Sequence, residues 1–396
     1  MRILPEPGAA RILTVATLIQ TIGRGVWLTV SALFLTRSVG LSIAQVGFGL
    51  TLIALISLVA SAPTGYLADR YGPRGIQITA LIASGMCIAA LTMVRSFPSF
   101  LAFAVCSAMA DAALRGSRGA IIAGSVPPDQ RVRTRAYLRS TTNLGIAVGA
   151  LLAGVGIAFD TRPAYLALLL FDAAARVAAG GVLTRLDPIP PVPAPKHGPR
   201  LIALRDRPFL AFTLLDGLMS MHFSILNIAL PLWIAQHTAA PNWLVSVLVL
   251  VNTTMVVAFQ VPVSKGTEEL SGAARAARRA GLAIAAACVI FATSGFVSTP
   301  VIVALLLIAG AFVHVLGELW HAASGWGISF GLAPAHAQGQ YQGAYAMGGQ
   351  VGGMLAPVVI TTLAVEWGVP GWLVLGALFL GIGALVPPVT RWAASA

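Results

Sequence analysis

Gly65-Tyr66-Leu67-Ala68-Asp69-Arg70-Tyr71-Gly72-Pro73-Arg74-Gly75 is a short, doubly basic turn between two apolar runs, residues 43–62 and 76–94. Each run is about 20 residues long, enough to cross a hydrocarbon core of ~30 Å as a helix. Gly72 and Pro73 break the helix, which leaves room for one sharp reversal. Arg70 and Arg74 belong on the cytoplasmic side by the positive-inside rule. Asp69 is the exception, a carboxylate at the membrane edge beside two guanidiniums.

The rest of the chain repeats this alternation. It has 396 residues, 57% hydrophobic and only 10% charged, against about 25% charged in a soluble domain. Apolar segments of spanning length are predicted at 12–35, 43–67, 75–94, 99–126, 137–159, 162–185, 209–234, 243–263, 280–297, 300–330, 341–364 and 370–388. The fold class is therefore all-α, a polytopic membrane protein. The first residues do not read as a cleaved signal peptide, because Pro5 and Pro7 follow Arg2 and the apolar run from Ile12 is too long.

The net charge of +12 does not indicate nucleic acid, because the basic residues lie in alternate loops rather than on one face. With the N-terminus inside, 18 of the 25 Lys and Arg residues fall in cytoplasmic segments, and only Arg37, Arg95 and Arg162 fall outside. Both termini are thus expected in the cytoplasm. Arginine outnumbers lysine 23 to 2, which points to a GC-rich bacterial genome and a bacterial plasma (inner) membrane. Cys87, Cys106 and Cys288 all lie inside apolar runs, so neither a disulfide nor a thiol metal site is expected.

Residues 187–207 carry six prolines and are basic and polar. Such a segment forms an extended, semi-rigid spacer. It divides the chain into a bundle of six helices over 1–186, the linker 187–207, and a second six-helix bundle over 208–396. A shift of 207 residues places Pro127 on Pro334, Gly145 on Gly352 and Ala150 on Pro357, an internal repeat of the kind expected in transporters.

The pattern Gly65-x-x-x-Asp69-Arg70-x-Gly72-x-Arg74 between the second and third spans resembles motif A of the major facilitator superfamily. Residues 263–279 repeat its position in degraded form, with Glu268 for the aspartate and Arg275, Arg278 and Arg279 following. Gly145, Gly149 and Gly154 in the fifth span resemble motif C of the superfamily's antiporters, with Ala150 in place of proline and Ala153 in place of glycine. The same glycines also read as a small-residue stripe for close helix packing. Arg115-Gly116-Ser117-Arg118-Gly119 resembles motif B, with Arg118 replacing glutamine. The resemblance implies two pseudo-symmetric six-helix bundles working by alternating access, with protons as coupling ion and no other cofactor. It further implies that Asp69 acts as a latch, meeting Arg131 and the N-terminus of the eleventh helix.

Ionisable residues inside a membrane are costly, so each is a functional candidate. Arg24 lies mid-helix between Gly23 and Gly25, too deep to reach the interface, and is expected to face the cavity. Asp111 and Arg115 stand four apart and can pair on one helix face, with Arg118 following. They read as a proton-coupling group or as a structural ion pair. Asp172 and Arg176 repeat the spacing and read as structural. Asp216 and His222 have no obvious partner on their own helix.

His314, Glu318 and His321 share one face of the tenth span. A zinc site is conceivable on spacing, but the His-Glu-x-x-His pattern is missing and no cysteine is near. Histidine titrates near neutral pH, so an acid flanked by two histidines suits proton handling better. Glu318 is the first candidate for the proton carrier, with His314 and His321 as relays and Asp111, Arg115 and Asp216 as further coupling residues. Arg24, Trp27, Arg118, His222, Trp320 and Met347 are expected to line the substrate cavity.

The reading that follows is proton-coupled export of small amphiphilic or drug-like molecules by a monomer in the lipid bilayer, neither an enzyme nor a nucleic-acid binder. The alternative is a proton-coupled symporter taking up an anionic metabolite, suited by Arg24, Arg115 and Arg118. A membrane enzyme or a sensor of the same fold has less support.

Overall fold

The computed structural model describes residues 5–192 and 201–395. Among these residues twelve helices are long and apolar enough to cross a membrane: α1 (Ala9–Ser38), α2 (Ile43–Tyr71), α3 (Pro73–Met93), α4 (Phe97–Ser125), α5 (Pro128–Phe159), α6 (Arg162–Leu183), α7 (Arg207–His237), α8 (Leu244–Val263), α9 (Leu270–Ser294), α10 (Pro300–Leu332), α11 (Ala335–Glu366) and α12 (Val369–Ser395). No strand occurs among the described residues. In lipid a spanning segment must satisfy its own backbone groups, and helices do so internally. The protein is an all-α, multi-pass membrane protein.

Several helices begin before their apolar runs. α5 starts at Pro128 rather than 137, α9 at Leu270 rather than 280, and α11 at Ala335 rather than 341. Their first turns are basic or polar, so hydropathy stops where the helix leaves hydrocarbon while the hydrogen-bond ladder continues. Local caps set other ends. Ser42 and Gln45 form a reciprocal capping box on α2, and the Asp206 carboxylate accepts the Phe209 N–H at 3.0 Å on α7. Gly72 closes α2 at φ 93°, a region that favours glycine.

The chain divides into two compact units. The first is Met1–Ala203 with Ala333–Ala346, and the second is Leu204–Leu332 with Met347–Ala396. Sequence reading placed 333–346 with the second half. It groups with the first because the start of α11 packs on α2: a Cβ on Gly343 would strike the Ser61 carbonyl, and one on Gly339 would strike Gly65. Of the expected linker, residues 193–200 lie outside the described residues. Its first part runs over the α2–α3 turn, with the Ile189 carbonyl 3.1 Å from where a Gly72 Cβ would stand.

Within the first unit α1 packs on α5 and α6, α2 on α4, and α3 on α4 and α6. The second unit repeats this, with α7 on α12, α8 on α10, and α9 on α10 and α12. Small residues bring the helix axes together. Gly145 and Gly149 of α5 lie against Thr21 and Ile22 of α1, and Gly25 lies against Ile146. Gly352, which the 207-residue shift superposes on Gly145, lies against Gly217 of α7. The apolar core of the first unit gathers Val26, Val30, Phe34, Phe100, Tyr165 and Leu169.

Candidate functional site

In the second unit α7 is not continuous. Its α-helix ends at Ser220, tightens through turns in which the His222 N–H reaches Met219 O, and resumes through a π-turn at Ile225–Ala229. The break places the His222 ring, fully buried, beside α10. His222 Nε2 lies 3.0 Å from His321 Nδ1, and His222 Nδ1 lies 3.2 Å from His314 Nε2. His314 Nε2 also lies 3.2 Å from the His222 carbonyl. His321 Nε2 lies 3.2 Å from Asp216 Oδ1.

An Asp216 carboxylate would fix every proton in this chain. A carboxylate only accepts, so His321 Nε2–H would donate to it and His321 Nδ1 accept from His222 Nε2–H. His222 Nδ1 then accepts, and His314 Nε2–H donates. Each neutral imidazole has one donor and one acceptor nitrogen, and each uses both or faces the next group. A proton arriving at the His314 end can shift every bond by one step and leave at Asp216. At that end stands Glu318, with a carboxylate oxygen within 4.8 Å of ring nitrogens of His222 and His314. The Asn252 amide of α8 donates to Glu318 Oε2 at 2.8 Å.

Asp216 and His222 therefore have partners, which sequence reading did not find. The partners lie 92 to 105 residues away on α10. His222, His314 and Glu318 offer donor atoms close enough together for a metal ion. Yet both His222 nitrogens and His314 Nε2 are engaged in the chain, so a metal would have to break it.

In the first unit three helices, α1, α4 and α6, bring arginines to one cavity, lined by Gln20, Arg24, Asp111, Leu114, Arg115, Arg118 and Arg176. The expected Asp111–Arg115 pairing is present only as a longer-range attraction, not as a direct contact. Asp111 Oδ1 instead accepts from Arg176 Nη1 at 3.2 Å and from Ser84 Oγ at 3.2 Å. Arg176 holds both Asp172 oxygens, Nε–Oδ1 at 3.0 Å and Nη2–Oδ2 at 3.2 Å. It reaches Asp111 because α4 and α6 both pack on α3, so a partner across the bundle displaces one on the same helix. Arg118 lies close enough to Arg24, Arg115 and Arg135 for their charges to interact.

Asp69 meets the start of α11. The Gly339 N–H donates to Oδ1 at 2.6 Å and the Gln340 N–H to Oδ2 at 2.9 Å. A helix N-terminus carries unsatisfied donors and partial positive charge, which a carboxylate matches. Arg131 does not join it, a correction to the expected latch. Its Nη2 donates to the Ala123 carbonyl at 2.7 Å and its Nε to the Val126 carbonyl at 3.4 Å, capping the C-terminal end of α4. Removing both acceptors by Asp69→Ala is expected to cost about 1–3 kcal/mol, and Asp69→Asn less. Thermal unfolding of the purified protein measures both, and an unchanged midpoint in Asp69→Ala would remove the cap from the account.

The family model for the Major Facilitator Superfamily matches residues 13–357. The chain belongs to the major facilitator superfamily. With twelve spans it is a secondary transporter of that superfamily. It is 31% identical over 84 residues to the uncharacterised MFS-type transporter YdeE of Escherichia coli K12, a match spanning 21% of each chain. Three solved structures share the fold. The human organic anion transporter MFSD10 is 15% identical with TM-score 0.71, covering 95% of this chain and 98% of that one. A bacterial homologue of the iron transporter ferroportin is 13% identical with TM-score 0.72, covering 100% of both. The proton:xylose symporter XylE is 14% identical with TM-score 0.70, covering 95% of both.

The superfamily motifs now have places. In motif A, Arg74 Nη2 donates to the Thr184 carbonyl at 2.6 Å, holding the end of α6, while Arg70 stays exposed beside Tyr66 and Tyr71. Gly65 lies where Gly339 and Gly116 come close. In motif C, Gly145 and Gly149 face α1, whereas Gly154 has open space around it. Of the cavity candidates, Arg24 and Arg118 line the arginine cavity. Trp27 instead packs half-buried against the apolar core, since its ring finds more contact there. His222 belongs to the histidine chain, and Trp320 and Met347 are half-buried in the second unit.

Sequence reading missed four residues at these sites. Asn252 and Ser84 are lone polar residues in apolar runs, a signal that was available. Gln20 was another. Arg135 was counted as a loop charge because the apolar part of α5 begins after it.

Proposed function

We propose that the protein is a proton-coupled exporter, exchanging inward-moving protons for small amphiphilic molecules. The observation that supports this most is the buried chain Asp216–His321–His222–His314 with Glu318 beside its far end. It offers a hydrogen-bonded path from Asp216 to His314, with the second carboxylate, Glu318, close to its far end, in a unit that alternating access moves as a body. The fold likeness to a proton:xylose symporter is compatible with proton coupling. The motif C glycines favour export. The charge distribution supports both termini in the cytoplasm of a bacterial plasma membrane, and we take the monomer as the working form.

The energetics suffice. One proton entering down 100 mV supplies about 2.3 kcal/mol, and one pH unit adds about 1.4 kcal/mol. Together they sustain a gradient of about 500-fold for one neutral substrate.

The test uses proteoliposomes with an acidic lumen and two probes added outside, cationic ethidium and anionic fluorescein. Accumulation of either with a rise in luminal pH is the expected result. Accumulation without any proton movement overturns the coupling. The second reading, uptake of an anion by symport, draws on the arginines of the first unit. It predicts that luminal pH falls as the anion enters.

A further inference from the structure

The arginines of the first unit are more than any structural pairing requires. Arg176 is committed to Asp172, Asp111 and Ser84. Arg24, Arg115 and Arg118 line the cavity beside it, and Arg135 stands next to Arg118. None of these four has a hydrogen-bond acceptor or ion-pair partner among the described residues. Arg115 Nε and Arg135 Nη1 are fully enclosed and unpartnered.

Among the described residues no carboxylate pairs with these four within 4 Å; Asp111 attracts Arg115 and Asp172 attracts Arg24 only at longer range. Five guanidiniums face two carboxylates, and both carboxylates bind Arg176. Asp69 is taken by the start of α11 and Asp160 by Arg37 and Tyr165. Nor can the cluster discharge by losing protons, because a guanidinium in a protein remains charged. Arg115, Arg118 and Arg135 are half-buried and Arg24 is exposed, and charges drawn partly out of water without a counter-ion are costly to keep. An anion in the cavity removes that cost. Guanidinium presents its N–H groups as a planar fork that matches two oxygens of a carboxylate or phosphate.

We propose that the arginine-lined cavity of the first unit, bounded by Arg24, Arg115 and Arg118 with Gln20 and Leu114, binds a small organic anion carrying two or more negative charges on carboxylate or phosphate oxygens. The multiple charge follows from the cluster, since a monoanion leaves most of it unmatched. Leu114 and the apolar neighbourhood of Arg118, which includes Leu81, Ile121 and Leu138, favour an organic body over an inorganic ion. This inference rests on the reading of the protein as a secondary transporter, whichever the direction, and names a substrate class for it. The protons travel through one unit and the anion is held by the other.

Equilibrium binding tests it without any gradient. The full-length protein in detergent is heated alone and with phthalate, phenyl phosphate, inorganic phosphate or tetraphenylphosphonium, all at one ionic strength. Phthalate or phenyl phosphate is expected to raise the unfolding temperature, as any ligand of the folded state does. Whichever acts identifies the head group as carboxylate or phosphate. Arg118→Gln and, independently, Arg115→Gln are expected to weaken that ligand about tenfold or more. Arg118→Lys keeps charge but loses the fork, and should fall between.

Three results overturn the proposal: stabilisation by tetraphenylphosphonium and by neither organic anion, stabilisation by inorganic phosphate alone, or an anion response that survives unchanged in all three variants. Glu318→Gln separates the two readings. It should lose proton coupling and keep the anion response, so an anion response in a protein whose coupling survives Glu318→Gln faults only the coupling reading.

Discussion

Glutamine in place of Glu318 is expected to leave the substrate bound and exchanged but no longer driven by the proton gradient. The substitution keeps the shape of the side chain and an oxygen for Asn252 Nδ2 to donate to, now at 2.8 Å. It removes the charge that a proton would cancel. Substrate counterflow between loaded and unloaded vesicles should stay within about twofold, since no protonation change is needed for exchange. Accumulation driven by a gradient of one pH unit should fall from its ceiling of about tenfold to none. Cutting the chain in the middle is a different perturbation. His222→Gln removes the ring that bonds to both His314 and His321, and should slow coupled transport about 100-fold, the range that positioned proton transfer commands, while the ceiling persists. If Glu318→Gln still accumulates substrate against a gradient, the coupling acid is elsewhere, and Asp216 at the other end becomes the residue to replace.

The contrast between these variants reflects what a sequence discloses. The turn at 65–75 and the twelve spans were legible because they are local. Apolar length sets a span, and Gly72 with Pro73 sets a reversal. Asp69 on the eleventh helix was anticipated only through resemblance, and its contacts, the Gly339 and Gln340 N–H groups, are 270 residues away. Helical spacing showed that His314, Glu318 and His321 share a face. It could not show that α7 breaks beside them and inserts His222 between the two histidines. The same limit explains Asp111. Spacing offered Arg115 one turn away, whereas the bundle offered Arg176 with Ser84 in support. Charged side chains in a membrane interior pair by tertiary position. The i, i+4 rule lists candidates on one helix and is silent on the others.

Asp172→Ala is expected to be the most destabilising single change in the first unit. Asp172 is fully buried and Arg176 nearly so, and their two contacts at 3.0 and 3.2 Å lie side by side. Removing one member of such a pair costs about 3–5 kcal/mol, because the other charge stays buried, whereas replacing both by apolar groups is often neutral. Thermal unfolding should therefore drop sharply for Asp172→Ala and recover in Asp172→Ala with Arg176→Met. A single variant within about 1 kcal/mol of wild type would mean the pair does not hold α6. The double variant also carries a functional consequence. Without Arg176, Asp111 loses the partner that draws it away from Arg115 one turn on, and the i, i+4 pairing becomes available. That pairing would cancel one of the charges the anion needs. The double variant should thus regain the fold while its response to phthalate or phenyl phosphate declines. On this account Arg176 keeps the neighbouring carboxylate occupied, so that Arg115 and Arg118 remain open to a ligand.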